Sequence, residues 1–492
     1  MIDVVELSLG DAQRALAARV YTSRKLTQAY LDRIDAIDRN GPTLNSIIEL
    51  NAAALADADA LDAERARGRV RGALHGIPIV LKDNLDAVGM VNSAGSLALA
   101  HHRPKHDAFV TARLRDAGAI IVGKTNLSEW ANFRSRRSTS GWSSRGGQTK
   151  NPYALDRNTS GSSSGTAAAI AASLATVGVG TETNGSIISP AGLCGLVGLK
   201  PTVGTVSRSG IIPISISQDT AGPMGRTVAD VAALLNALVG FDPADPAAAA
   251  ARGHLDADYG AHLDADALRG KRIGLARNTL GVNDAVDAAM QHAIEAMTAA
   301  GAAIVDIDTG DGSWSRVALD VLLYEFKDGI DAYLSRNGLA PGSLAELIEW
   351  NARHRESVMP WFGQELFERA QAKGPLTDRA YLDAREKSLG LARAGLARLD
   401  EHGLDAFVQP SNGPAWLTDP LLGDHGVGAG AGIAAVAGTP SITVPMGDSH
   451  GLPLGLAFIG RAYSEALLLG LAYAFEQTTR ARRPPQFMPS IV

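Results

Sequence analysis

Gly76-Ile-Pro-Ile-Val-Leu-Lys82 is followed by Phe109-Val-Thr-Ala-Arg-Leu-Arg-Asp-Ala117 and, past Gly118, by Ala119-Ile-Ile-Val122. The short unbroken apolar runs Ile77–Leu81 and Ala119–Val122 suit strands buried on both faces, whereas Phe109–Ala117 carries helical spacing. Strand, helix and strand in that order, with turn residues between them, predict βαβ units and a largely parallel sheet. On the N-terminal side, Leu16, Val20, Leu26, Tyr30, Leu31, Ile34 and Ile37 recur at helical spacing and stop at Asn40-Gly41-Pro42. Residues 1–69 are therefore expected to form a helical layer. On the C-terminal side, the Ala/Asp/Pro-rich stretch Asp242–Asp266 predicts a surface excursion. A strand from Lys271, an amphipathic helix over Asn283–Ala300 stopped by Gly301, and a strand at Ala303–Ile307 follow. Helical periodicity then dominates Val317–Leu396, and Ala406–Gln409 and Ser441–Pro445 return as strands. The expected fold class is α/β. One domain, 1–492, is built on a central mixed, mostly parallel twisted sheet covered by helices on both faces, with the N-terminal helical layer at 1–69, a core at 70–230 and a helical insertion at 310–405.

Composition narrows the function. Of 492 residues, 46% are hydrophobic and 20% charged, as in ordinary globular proteins. With 46 basic against 52 acidic residues, a net charge of −6 gives no footprint for phosphate backbones or anionic membranes, so neither nucleic acid nor membrane is an expected partner. Cys194 is the only cysteine, which excludes an intrachain disulfide and a Cys-rich metal site. The first residues, Met1-Ile-Asp-Val-Val-Glu-Leu, carry acids where a signal peptide carries bases, so a cytoplasmic location is expected. The weakly polar runs Thr166–Thr181 and Gly426–Thr439 are Ala/Gly-rich and fall short of the roughly 18–20 strongly apolar residues of a membrane span.

Thr159–Gly225 is dense in Gly and Ser, a composition that marks backbone in unusual conformations or close to a ligand. Three features stand out: the strand-end Lys82, the loop Ser160-Gly-Ser-Ser-Ser-Gly165, and the turn Gly180-Thr-Glu-Thr-Asn-Gly-Ser186. Taken singly, each has a bland reading as a solvated strand end, a linker or a turn. In this order, with Ser186 lying 24 residues past Ser162 and Cys194-Gly-Leu-Val-Gly-Leu-Lys200-Pro-Thr following, the chain resembles the amidase-signature family. The resemblance extends through Gly123–Asn132, Gly222-Pro-Met-Gly-Arg-Thr-Val and Gly451-Leu-Pro-Leu-Gly-Leu.

That resemblance implies a single amidase-signature domain and a Ser-Ser-Lys triad. Ser186 would be the nucleophile, Ser162 the serine next to a cis peptide bond, and Lys82 the base. The roles make physical sense, because a serine hydroxyl needs an adjacent base and a lysine serves as one only when burial keeps it neutral. Ser162 would relay protons between them. The family's oxyanion hole maps onto Thr183, Asn184, Gly185 and Ser186. Here the chain departs from the family pattern, with Asn184 in place of a glycine common at that position and Ile188 in place of a common arginine. Stretches outside the triad, including Gly141–Thr149, Leu323–Lys327 and Arg480–Phe487, resemble the bacterial peptide amidases within the family. The implied substrate is a peptide amide, with small amides as the alternative, and the products are a free carboxylate and ammonia. No cofactor or metal is implied, and the chain is expected to act as a monomer or weak homo-oligomer. Trp130, Phe133, Ser163 and Tyr324 are candidates for the substrate wall, with core packing an equal reading for the aromatics.

Rival readings are weaker. No histidine sits with a serine in a nucleophile elbow, and His75 is expected to play a structural part. His101, His102 and His106 lie in a polar loop without metal-ligand spacing. Buried Cys194 reads as a small hydrophobe. A glutaminase-type amidotransferase subunit would share the triad, whereas a membrane-bound fatty-acid amide hydrolase would need an apolar N-terminal helix, which the interleaved Arg14, Arg19, Arg24, Lys25, Asp32 and Arg33 preclude. A non-catalytic binding protein on the same fold would have no need of all three triad residues.

Overall fold

The computed structural model describes residues 2–426 and 430–491; residues 427–429, part of the second weakly polar run, lie outside it. In chain order the strands are β1 (Ile47–Leu50), β2 (Pro78–Lys82), β3 (Ile120–Thr125), β4 (Trp142–Ser143), β5 (Gly147–Gln148), β6 (Val177–Glu182), β7 (Val197–Lys200), β8 (Thr220–Gly225), β9 (Arg272–Ala276), β10 (Ala303–Ile307), β11 (Ala406–Pro410), β12 (Ser441–Ser449) and β13 (Leu452–Ile459). β4 and β5 form a two-stranded ribbon. The others make one 11-stranded sheet in the order β1-β3-β2-β6-β8-β7-β12-β13-β11-β9-β10.

Strand alternation splits the core. Ile79 and Leu81 of β2 and Ile121 of β3 enter one apolar cluster, while Val80, Ile120 and Val122 enter another on the opposite face. The first face is covered by the helices Val228–Leu238, Asp284–Ala299 and Glu465–Thr479, and the second by Ala54–Ala66, Ser164–Ala171 and Ile188–Leu193. Two-sided burial is why the strands read as continuous apolar runs. The helix Asp284–Ala299 shows how local signals agree. The Asn283 side chain accepts from the N–H groups of Ala285 and Val286, and Val286, Ala289, Met290, Ala293 and Met297 form its buried stripe.

Pairing departs from expectation in one respect. The sheet is mixed, but parallel pairing is confined to β3-β2-β6 at one end and β11-β9-β10 at the other, and every junction between and outside these blocks is antiparallel. β12 and β13 account for part of the difference. His450 and Gly451, both at positive φ, close a two-residue hairpin that needs no crossover helix. The edge strand β1 also interrupts the N-terminal helices Leu9–Ala17, Ser23–Arg33 and Ala54–Ala66. The Asp242–Asp266 excursion is tethered: Asp242 accepts from Ser207, Asp245 pairs with Arg208, and Tyr259 is buried. Between β10 and β11 run the helices Trp314–Arg336, Leu344–Arg353, Glu365–Gln371 and Arg379–Leu396. No helix among the described residues is long and apolar enough to cross a membrane.

Candidate active site

Lys82 ends β2 with its side chain fully buried. Its Nζ lies 2.8 Å from Ser162 Oγ and 2.8 Å from Thr181 Oγ1, donating to both when protonated. Burial penalises the ammonium and pulls it from 10.5 down to about 7, against the opposing pull of the Asp219 and Glu182 charges. A lysine so placed is substantially neutral at mildly alkaline pH and can accept a proton from Ser162. Thr181 Oγ1 also accepts from Asn84 Nδ2 at 3.0 Å, so the lysine is held from two sides.

Ser162 follows a cis Gly161–Ser162 peptide bond. A Cβ at Gly161 would come within 2.2 Å of Ser128 Oγ and 2.9 Å of Ser164 Oγ, so a side chain there would displace these hydroxyls. The Ser163 N–H donates to the Ser186 carbonyl at 3.2 Å, which joins the serine loop to the turn after β6. In that turn Gly185 sits at φ +83, a conformation glycine adopts freely. Glu182 Oε2 accepts from the N–H groups of Ile187 (2.8 Å) and Ile188 (3.0 Å) and so fixes the start of the helix Ile188–Leu193 behind Ser186. The N–H groups of Thr183, Asn184, Gly185 and Ser186 have no partner among the described residues. Asp219 accepts from the Thr183 hydroxyl at 2.5 Å and from the N–H groups of Ile214 and Ser215, each at 2.8 Å. Burial raises its carboxyl to about 6 despite these bonds.

Lys82, Ser162, Ser186 and the 183–186 turn are therefore brought together. The Ser162 and Ser186 hydroxyls share no direct hydrogen bond among the described residues. Trp130, Phe133, Ser163 and Tyr324 are placed otherwise. Trp130 packs edge-on against Phe367 (5.7 Å between centroids), Phe133 against Phe326 (4.9 Å), and Tyr324 against Tyr381 (5.5 Å). Ser163 is fully buried, its Oγ donating to the Thr181 carbonyl and accepting from the Thr181 N–H. A cavity of about 510 Å³ beside the lysine is lined instead by Asn84, Ala131, Thr181, Thr183, Asp219 and Ile212, with Glu325 and Tyr333 from the helix Trp314–Arg336. Sequence reasoning missed Thr181, Glu182 and Asp219. Thr181 and Glu182 lie inside the quoted turn, but nothing in the pattern marked them as holding its partners. Fully buried His75, bonded to the Leu61 carbonyl at 3.1 Å, and buried Cys194, its thiol pushed up by burial, have structural settings.

The amidase family model matches residues 25–469. This chain is a member of the amidase family. A probable amidase of Arabidopsis thaliana is 39% identical over 99% of this chain and 92% of its own length. A glutamyl-tRNA(Gln) amidotransferase subunit of Thermosynechococcus vestitus is 36% identical over 95% of this chain and 97% of its own. Among solved structures, native peptide amidase of Stenotrophomonas maltophilia is 51% identical with a TM-score of 0.94, covering 98% of this chain and 99% of that one. Peptide amidase in complex with the competitive inhibitor chymostatin is 52% identical with a TM-score of 0.96 over the same shares. The protein is thus an amidase-signature α/β hydrolase of amide bonds with serine-type catalysis.

Proposed function

We propose that this amidase removes the C-terminal amide of peptides, with Ser186 as nucleophile, Ser162 as proton relay and Lys82 as base. The observation that carries the mechanism is the buried Lys82 Nζ at 2.8 Å from Ser162 Oγ. Ser186 Oγ attacks the amide carbonyl carbon, its proton passing to Ser162 while the Ser162 proton passes to neutral Lys82. The unpartnered N–H groups of Thr183, Asn184, Gly185 and Ser186 are available to the resulting oxyanion. Proton return through Ser162 to the nitrogen releases ammonia, and water attacks the Ser186 ester to give the carboxylate. The missing Ser162–Ser186 hydrogen bond fits a relay that closes with substrate, since catalytic hydrogen bonds often tighten only in the complex. Similarity to peptide amidases over nearly the whole chain supports the substrate, and the cavity beside Thr183 has the size of a small-molecule site. We also place the enzyme in the cytoplasm, where the lone Cys194 has no disulfide to form.

A second reading, a glutaminase acting on glutamine or small amides, is favoured by the likeness to the glutamyl-tRNA(Gln) amidotransferase. Ammonia release from a short peptide amide, with products weighed by mass spectrometry, tests both. Loss of the terminal amide alone, abolished in Ser186→Ala, is expected. Turnover of glutamine or simple amides without turnover of peptide amides would move the substrate to the second reading.

A further inference from the structure

A second cavity, of about 230 Å³, lies on the other side of the loop that carries Asp219. Ser215, Ile216 and Asp219 face the cavity beside Lys82, whereas Ser217 and Gln218 face this smaller one. Val321 and Val436 supply apolar wall, and Tyr463 borders it. Its only charged lining, among the described residues, is Arg385 and Arg393. On the same helix Arg379 is paired with Asp383 at 2.8 Å, but no carboxylate lines the cavity beside Arg385 or Arg393. These two arginines stand eight residues apart, roughly 12 Å along the axis; Ser388 lies one turn from Arg385 and Leu389 one turn before Arg393, and all four border the cavity.

Two further side chains are built into this cavity without partners. Gln218 and Ser388 are each only 2% exposed, yet Gln218 Oε1 and Ser388 Oγ make no hydrogen bond among the described residues. Burying such atoms unpaired is costly, and both residues border the cavity, where a bound ligand can pair them. We infer that this cavity is a carboxylate subsite. Arg385, Arg393 and the Ser388 hydroxyl take the anion, and Gln218 Oε1 accepts from a donor next to it, such as a hydroxyl or a peptide N–H. An acidic residue of a peptide substrate and a free hydroxy acid share that chemistry. The subsite adjoins both elements that frame the nucleophile turn: Gln218 precedes Asp219, which holds Thr183, and Val436 belongs to the helix after Ala431, which faces Gly185.

The test combines a binding and a kinetic readout on the full chain. L-malate, with two carboxylates and a hydroxyl, is titrated calorimetrically into wild type, Arg385→Gln/Arg393→Gln, and a charge control, Arg269→Gln, at an exposed arginine outside the cavity. kcat/KM is measured for peptide amides that differ only by Glu against Gln at each upstream position. Loss of two charge-assisted contacts is expected to weaken malate, or to cut the Glu-over-Gln preference, by about tenfold or more in the double variant alone. Arg-dependent preference identifies a substrate residue as the source, and Arg-dependent malate binding without it identifies a free acid. Malate binding that stands while no peptide amide is hydrolysed would retain the subsite and discard the peptide-amidase reading. No malate binding with equal turnover of Glu and Gln peptides, or binding unchanged in the double variant, overturns the inference.

Discussion

If neutral Lys82 is the base, lowering the pH titrates the enzyme off, and the structure says where. Its nitrogen is held at about 7 by burial. The neutral fraction is then about nine-tenths at pH 8 and about one-tenth at pH 6. kcat/KM, which reports the free enzyme, should fall roughly tenfold between those values. Below that the decline should be shallower than tenfold per unit, because Asp219, held at about 6, protonates in the same range. Its negative charge raises the lysine's affinity for protons, so losing it partly frees the base again. The assay is ammonia release from one peptide amide between about pH 5 and pH 9 at constant ionic strength, with recovery of activity on return to pH 8 as the control for unfolding. Asp219→Asn removes the charge at every pH and should move the acid limb downward. A rate that stays flat to about pH 5, or an Asp219→Asn limb displaced upward, would refute the lysine as the titrating base.

Other substitutions test the supporting shell. Lys82→Met should abolish turnover yet stabilise the fold at neutral pH. The fall from 10.5 to about 7 makes the charged lysine a burden on the order of 5 kcal/mol, against about 1 kcal/mol for each hydrogen bond lost to Ser162 and Thr181. The sign follows from linkage. The folded pKa lies below the unfolded one, so wild-type stability rises with pH from about 7 to about 10.5, and the variant's advantage should shrink over that window in urea titrations. Glu182→Ala strips the acceptor from the Ile187 and Ile188 N–H groups and should lower kcat about tenfold or more with little change in KM, as expected of a positioning residue. Phe326→Ala, in the aromatic cluster behind the cavity wall, should cost about 3–5 kcal/mol in urea unfolding while leaving the acid limb in place.

What the sequence disclosed follows from which forces act locally. Ile77–Leu81 and Ala119–Val122 announce two-sided burial in any context, and Asn283 with Gly301 brackets its helix by capping and backbone freedom, so these elements were legible. Strand direction was not, because β7 and β8 lie in a Gly-rich stretch whose burial leaves no periodicity, and β13 is placed by a hairpin at His450-Gly451. The site divides in the same way. Lys82, Ser162 and Ser186 each have a bland reading taken singly, and what marked them was their order and spacing, which resemble the amidase-signature pattern. Their supports do not stand out, since Thr181, Glu182 and Asp219 act only through partners that the fold supplies: Lys82, the Ile187–Ile188 backbone and Thr183. The aromatics were ambiguous for a related reason. Trp130 and Phe133 offer the same ring to a ligand or to a neighbour, and the choice falls to Phe326 and Phe367, nearly two hundred residues or more away in the chain but within 5.7 Å in space. The order of residues along the chain was thus enough to nominate the proposed triad, whereas the walls of the cavity beside it are set by helices packed from elsewhere.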